Sequence, residues 1–261
     1  TPVPWAGVEV ACGGGGPGFL PGSAWNEMRR EALDKLLQKR SEPAPLATKE
    51  ITLPEYAEHE VGMIPQLAAR FETAAQLPGA EYLAKLRYLI LPIREADAVP
   101  QPLRCKTLLE LPRAAFGTVE PDTMRRLAAL EGSGFAGVVA NNLAQFGYAS
   151  PLPVFGGLGL NVTNPMSAAE YVCLGARGLL VQPETALTAM RAVAPRQKDG
   201  TPVPTAALCY GHLPLMLTRA CPLRNVRTSC AGCTHKGKLR DRKGRDFPVR
   251  CSAPGSAGMR T

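Results

Sequence analysis

From about residue 65 onward the sequence is a succession of short, unbroken apolar runs separated by stretches with helical spacing. The runs are Leu67 to Phe71, Tyr88 to Ile93, Thr107 to Leu111, Gly137 to Ala140, Leu152 to Phe155 with Leu158 to Asn161, Gly178 to Val181, and Ala206 to Tyr210. Continuous rather than alternating apolar character marks strands covered on both faces. Helical segments at Glu72 to Leu77, Asp122 to Leu130, Pro165 to Leu174 and Glu184 to Val193 separate them. Strand–helix alternation of this kind dictates right-handed crossovers and a parallel sheet. About seven strands predict an α/β fold of the (β/α) barrel-like, TIM type. Seven units in roughly 150 residues are few beside the ~250 of a full barrel, so the helices are short or the barrel is incomplete.

The flanks differ in composition. Residues 1–45 read as the end of a preceding domain plus linker, with a strand-like piece (Gly7 to Ala11), a glycine run, and a helix from Ala24 to Gln38 capped by Ser23. The glycine run lacks the Lys-Ser/Thr of a phosphate loop and reads as a turn. Residues 41–50 are linker-like. The barrel-like domain occupies 46–218, and a basic four-cysteine tail occupies 219–261. The chain carries a net charge of +8, but Arg219 to Thr261 alone hold eleven Lys and Arg against two Asp, leaving the rest near neutral. A patch this concentrated favours a polyanion, with RNA as the expected partner. No run approaches the ~20 apolar residues of a membrane helix, and no secretory leader opens the chain. A cytoplasmic protein without a membrane partner is the expectation. Thr1 inside a structured stretch suggests a fragment or a processed product.

In a barrel of this type chemistry belongs at the C-terminal ends of the strands. Arg70 and Glu72 end the first, Asn141 and Asn142 the fourth, Asn161, Thr163 and Asn164 the fifth, Gln182 and Glu184 the sixth, and Tyr210 and His212 the seventh. Amides beside two carboxylates can grip a polar substrate or a flipped base by its hydrogen-bonding edge. Arg70, Glu72, Asn141, Asn161, Asn164, Glu184, Tyr210 and His212 are the candidate substrate-binding residues. Asn161, Glu184 and Tyr210 are expected to line one pocket. Asn164 before Pro165 also suits a helix cap. No Ser-His-Asp or Cys-His arrangement is visible, so the catalytic residues are unknown.

Cys12, Cys105, Cys173 and Cys209 are scattered singly, three of them among apolar neighbours typical of buried thiols. The other four, Cys221, Cys230, Cys233 and Cys251, crowd into 31 residues. Cys230-Ala-Gly-Cys233 is a two-residue-spaced pair whose Gly232 eases the turn that faces both thiolates to one metal. Four thiolates hold Zn2+ or an iron–sulfur cluster such as [4Fe-4S]; the spacing leans to zinc without separating the two. His235, two residues after Cys233, is an alternative ligand. Arg240, Arg242, Lys243 and Arg245 surround Gly244 in a turn-like segment, the candidate nucleic-acid contact.

Four segments stand out in this region: Tyr210-Gly211-His212-Leu213-Pro214-Leu215-Met216, Cys221-Pro222-Leu223, Asp241-Arg242-Lys243-Gly244 and Phe247-Pro248-Val249. In them the sequence resembles peptidase family U32, the collagenase-like family, and within it the C-terminal half of a long member. Leu160 to Asn164 and Arg29 to Leu33 agree more loosely. The resemblance implies a barrel-type fold with a cysteine-bound cluster. It further implies a part in an RNA-modifying enzyme of the oxygen-independent, prephenate-dependent hydroxylase type, joined to upstream domains of the same protein. One alternative is a non-catalytic, metal-stabilised module supporting an upstream catalytic copy. Another is a peptidase, by family label only. The family's cluster signature has a cysteine where this chain has Pro214, and Cys230, Cys233 and Cys251 follow a spacing of their own.

Overall fold

A computed structural model describes residues 21–43, 64–148, 150–218, 221–225, 234 and 236–250. Two compact units divide the chain, Thr1–Pro54 and Glu55–Thr261. The first contains α1 (Gly22–Ser41), which has no buried residue and ends on Lys39 and Arg40, charges that complement its dipole. Ser23 does not cap it. The helix starts two residues before the expected Ala24, after an extended Pro21 whose carbonyl accepts from the Ala24 and Trp25 amides. The predicted Gly7 to Ala11 strand lies outside the described residues.

The second unit is built on seven parallel strands: β1 (Leu67–Arg70), β2 (Leu86–Pro92), β3 (Thr107–Glu110), β4 (Gly137–Ala140), β5 (Val154–Gly156), β6 (Ala176–Val181) and β7 (Thr205–Ala207). They lie in sequence order, and β1 does not pair with β7. With right-handed crossovers, strictly sequential order sends every connection over the same face, so the other face is free to curl inward. Two rings show that it does. Tyr88 of β2 and Phe155 of β5 meet edge to face at 5.6 Å, although in a flat sheet those strands would stand about 14 Å apart at ~4.8 Å per neighbour. Phe155 fills the hollow because Gly137 and Gly178 leave room for it; a Cβ at either would come within 2.8 Å of the ring. The sheet is thus an open, curled half-barrel.

On the outer face the short connections build two apolar clusters. Leu91, Leu109 and Val138 pack with Leu127 of α4 (labelled after α2, Ala80–Ala84, and α3, Gln101–Arg104), which spans Val119–Ala128. Val162, Leu179 and Val181 pack with Ala168 of α5 (Pro165–Cys173) and with Val193, which follows α6 (Leu187–Ala192). Burying such side chains contributes roughly 1.5–3 kcal/mol each.

Several connections differ from the sequence expectation. Glu72 to Leu77 holds a single 3-10 turn, Ala74–Gln76, closed by a Thr73/Gln76 capping box and stopped by Pro78. Leu158 to Asn161 is no strand. It is a 3-10 turn (Leu158–Leu160) followed by Asn161 in the left-handed region at φ 52°, a conformation asparagine tolerates. The sixth crossover helix begins only at Leu187, because Pro183 and Glu184 lie in a turn in which the Thr185 amide donates to the Gln182 carbonyl. Strand β7 stops at Ala207, where its pairing with β6 ends, so Tyr210 and His212 lie beyond the sheet. Cys105, Cys173 and Cys209, the scattered thiols among the described residues, are all exposed rather than buried.

In the basic tail, β8 (Lys236–Arg240) and β9 (Asp246–Arg250) form an antiparallel hairpin, preceded by a 3-10 turn at Pro222–Asn225.

Candidate functional site

Parallel strands place all their C-terminal ends on one edge. Register decides which of those residues share a face: Arg70 aligns with Ile90, Ile90 with Leu108, and Glu110 with Val139. Side chains alternate along each strand, so Arg70, Glu110 and Asn141 all project on the inner, curled face. There they join. The Arg70 Nε donates to Glu110 Oε2 at 2.7 Å, its Nη1 donates to Glu72 Oε1 at 2.8 Å, and the Asn141 Nδ2 donates to Glu110 Oε1 at 3.4 Å. Arg94 reaches Glu72 at 3.5 Å and Glu95 at 3.8 Å, and Glu95 accepts from the Ala74 amide at 3.0 Å. Partial burial works to raise the Glu72 pKa, but hydrogen bonds and charge from Arg70 and Arg94 outweigh it, and the carboxyl sits below its ordinary range. Burial likewise opposes the Arg70 charge, yet Glu110 and Glu72 together hold the guanidinium more firmly protonated than usual.

The loop after β4 does a different job. Asn141 is buried, and its Oδ1 accepts from the Gly159 amide at 3.3 Å. Its Nδ2 also donates to the Leu111 carbonyl at 3.2 Å, Gln145 donates to the Pro112 carbonyl at 2.7 Å, and Asn142 donates to the Arg113 carbonyl at 3.5 Å. Three side-chain amides thus hold three successive carbonyls of the loop after β3. Asn142 and Gln145 also close a capping box on the Leu143–Gly147 turn. The result is a rigid rim at the centre of the sheet edge. Beside it lies a cleft of about 290 Å³ lined by Arg113, Asn141, Asn142, Gly159 and the segment Pro214 to Leu217.

Of the residues singled out in the sequence, Arg70, Glu72 and Asn141 come together, and Asn141 and Asn142 line the cleft. Asn164 caps α5 by accepting from the Ser167 amide at 2.9 Å. Asn161, Glu184, Tyr210 and His212 are exposed, and none of them lines this cleft. Glu110, Gln145 and Arg113 were missed. Glu110 closes an apolar run and Gln145 obeys the capping-box spacing, so both left a signal; Arg113 left none.

In the tail, Cys221 is exposed, whereas Cys230, Cys233 and Cys251 lie outside the described residues. Their described flanks meet at one end of the hairpin. Lys236 pairs with Arg250, and Gly237 packs so tightly on Leu223 that a Cβ would come within 2.4 Å of it. Cys221 lies two residues from Leu223, Cys233 three from Lys236, and Cys251 next to Arg250.

At the opposite end, the Asp241 carboxylate accepts from the Lys243 and Arg245 amides, both at 2.8 Å, and Gly244 adopts φ 77° to close the turn. Arg240 and Lys238 both engage Asp246, at 2.6 and 2.7 Å. Hydrogen bonds from Arg240 and then Lys238 lower the Asp246 carboxyl to about 2. The side chains of Arg242, Lys243 and Arg245 make no hydrogen bond or ion pair among the described residues, leaving three exposed cations at the hairpin tip.

No family model matches this sequence, and no curated protein matches it. Among solved structures, the chain is similar to the U32 peptidase Mk0906, at 13% identity and a TM-score of 0.37, over 53% of this chain and 71% of that one.

Proposed function

We propose that the chain is a U32 peptidase-like module of an RNA-modifying enzyme of the oxygen-independent hydroxylase type, gripping RNA with its basic hairpin. The cations of Arg242, Lys243 and Arg245 carry this reading: the two nearby carboxylates are already engaged, by backbone amides and by Arg240 and Lys238. Exposed cations with no internal acceptor are free to neutralise the phosphates of an external polyanion. Arg240, held by Asp246, would orient the strand rather than contribute a free charge. Cys221, Cys230, Cys233 and Cys251 would hold the metal, which fixes the tail when zinc is bound and supplies redox chemistry when it is an iron–sulfur cluster. The hydroxylase chemistry rests on the motif resemblance.

Charge reversal of Arg242 and Lys243 should weaken RNA binding across sequences and flatten its salt dependence, as read by fluorescence anisotropy over an ionic-strength series. Metal content should be unchanged in that variant and lost in Cys233→Ser. A folded chain with no salt-sensitive RNA binding at low ionic strength would sink the RNA reading.

A second reading, a non-catalytic module supporting a separate catalytic copy, is favoured by the strand-end ion pairs. Arg70, Glu72, Glu110 and Arg94 neutralise one another, as groups that brace a fold do. The peptidase reading has only the family label behind it.

A further inference from the structure

At the C-terminal edge of the sheet the cations are neutralised, Arg70 by Glu72 and Glu110 and Arg94 by Glu72 and Glu95. The N-terminal edge is not. There Lys85 precedes β2, Arg87 is the second residue of β2, and Lys106 immediately precedes β3, the neighbouring strand. None of the three makes an ion pair among the described residues. Lys106 donates to the Leu83 carbonyl, and nearby Arg104 donates to the Val99 and Ser133 carbonyls, neutral acceptors that satisfy a donor without cancelling its charge. Lys85 and Arg87 are exposed and lie over the rings of Tyr82 and Tyr88, at 5.6 and 5.2 Å from the centroids. Glu81, one helical turn before Lys85, is exposed and makes no ion pair with it. Uncompensated positive charge gathered at one corner attracts an anionic chain. We infer that this corner is a second RNA contact, a platform for a single strand.

Lys85 and Arg87 line a cleft of about 410 Å³ together with Gln66 and Leu67. A hollow of this size takes a nucleotide-sized group and excludes a duplex. The parts that hold a single strand are present. Cations follow the phosphates, and an exposed ring offers a face on which any base can stack. Tyr82 is 56% exposed, so much of its surface is open beside Lys85. Gln66 is exposed and makes no hydrogen bond among the described residues, which leaves an amide donor and acceptor for a base edge. An anionic bilayer is the poorer match, because these cations line a concavity that a flexible strand enters and a flat surface does not. The corner also lies away from the strand ends at which barrel chemistry belongs, so the contact holds a flanking strand and takes no part in a reaction. It shares a polyanion with the proposed function and none of its residues, so either contact can fail alone.

Fluorescence anisotropy on the full chain tests it, with labelled oligouridine alone and annealed to oligoadenosine, over an ionic-strength series. The chain carrying R242E and K243E, which lacks the hairpin contact, should retain salt-dependent binding of the single strand and bind the duplex about tenfold or more weakly. Adding K85Q and R87Q should weaken single-strand binding about tenfold and flatten the slope of log affinity against log salt by about 1.4, at ~0.7 for each phosphate contact. The melting temperature should not change, since both residues are exposed. K85Q alone and R87Q alone should each give about half the slope change, so the test survives if the double variant does not fold. Y82A should weaken binding about fivefold or more without altering the slope, and Y82F should bind like the parent. Equal affinity of the unsubstituted chain and R242E/K243E would place the binding outside the hairpin, sinking that reading and supporting this one. No single-strand binding by R242E/K243E, unaltered binding after K85Q and R87Q, or equal affinity for strand and duplex would overturn the contact. So would binding of phosphatidylserine vesicles without binding of oligouridine, which would make the corner a membrane surface. Unaltered affinity in Y82A would overturn the stacking half.

Discussion

Asn141 uses its whole side chain: Nδ2 serves Glu110 and the Leu111 carbonyl, and Oδ1 serves the Gly159 amide. Asn141→Ala strands a buried carbonyl and a part-buried amide at once, at about 1–3 kcal/mol each, so a loss of about 2–6 kcal/mol in urea unfolding is expected. Gly159→Ala should cost at least as much, because the atom its new Cβ meets is backbone and cannot swing away. By contrast Asn164→Ala removes only a helix cap, worth about 1 kcal/mol. Equal losses at Asn141 and Asn164 would contradict this ranking. The sequence made Asn141 and Asn142 conspicuous as polar residues behind an apolar strand. It could not show what they hold, since their acceptors lie 29 to 31 positions away. Glu110 was hidden for the same reason: it looks like an ordinary strand-end charge until register brings it to Arg70, which the sequence did single out.

Among the elements, the central strands were legible because burial on both faces demands unbroken apolar runs, and Thr107 to Leu109 and Gly137 to Ala140 are buried throughout. The one-turn pieces were not, since Ala80–Ala84 and Gln101–Arg104 are too short to display a helical period. The hairpin was legible only as its turn, through Asp241 and Gly244. Its pH response follows from Asp246. This carboxyl is depressed to about 2 from the model-compound 3.8, so its contribution is complete above about pH 4 and fades as the pH falls through 2. A carboxyl-carbon NMR titration of Asp246 should show a midpoint near 2, with the side-chain signals of Lys238 and Arg240 moving in step. A midpoint near 4 would mean that the pairs do not persist in solution.

For the whole molecule, alternation along the sequence revealed a parallel sheet, but openness depends on whether β1 meets β7, which no local pattern encodes. The two edges predict uneven stability. Amides of Leu109, Val138 and Val139 should exchange with solvent only on global unfolding, while those of Ala68 and Ala207 should exchange through local fraying, as read by native-state hydrogen exchange. Uniform protection from β1 to β7 would mean that something covers the edges. The sequential strand order has another consequence, for synthesis. Each strand after β1 finds its neighbour already made when it leaves the ribosome, so the sheet can grow in the direction of translation. A doubly wound sheet must instead leave a flank bare until later strands arrive. Here the growing edge always belongs to the newest strand, and the one other bare edge throughout is that of β1.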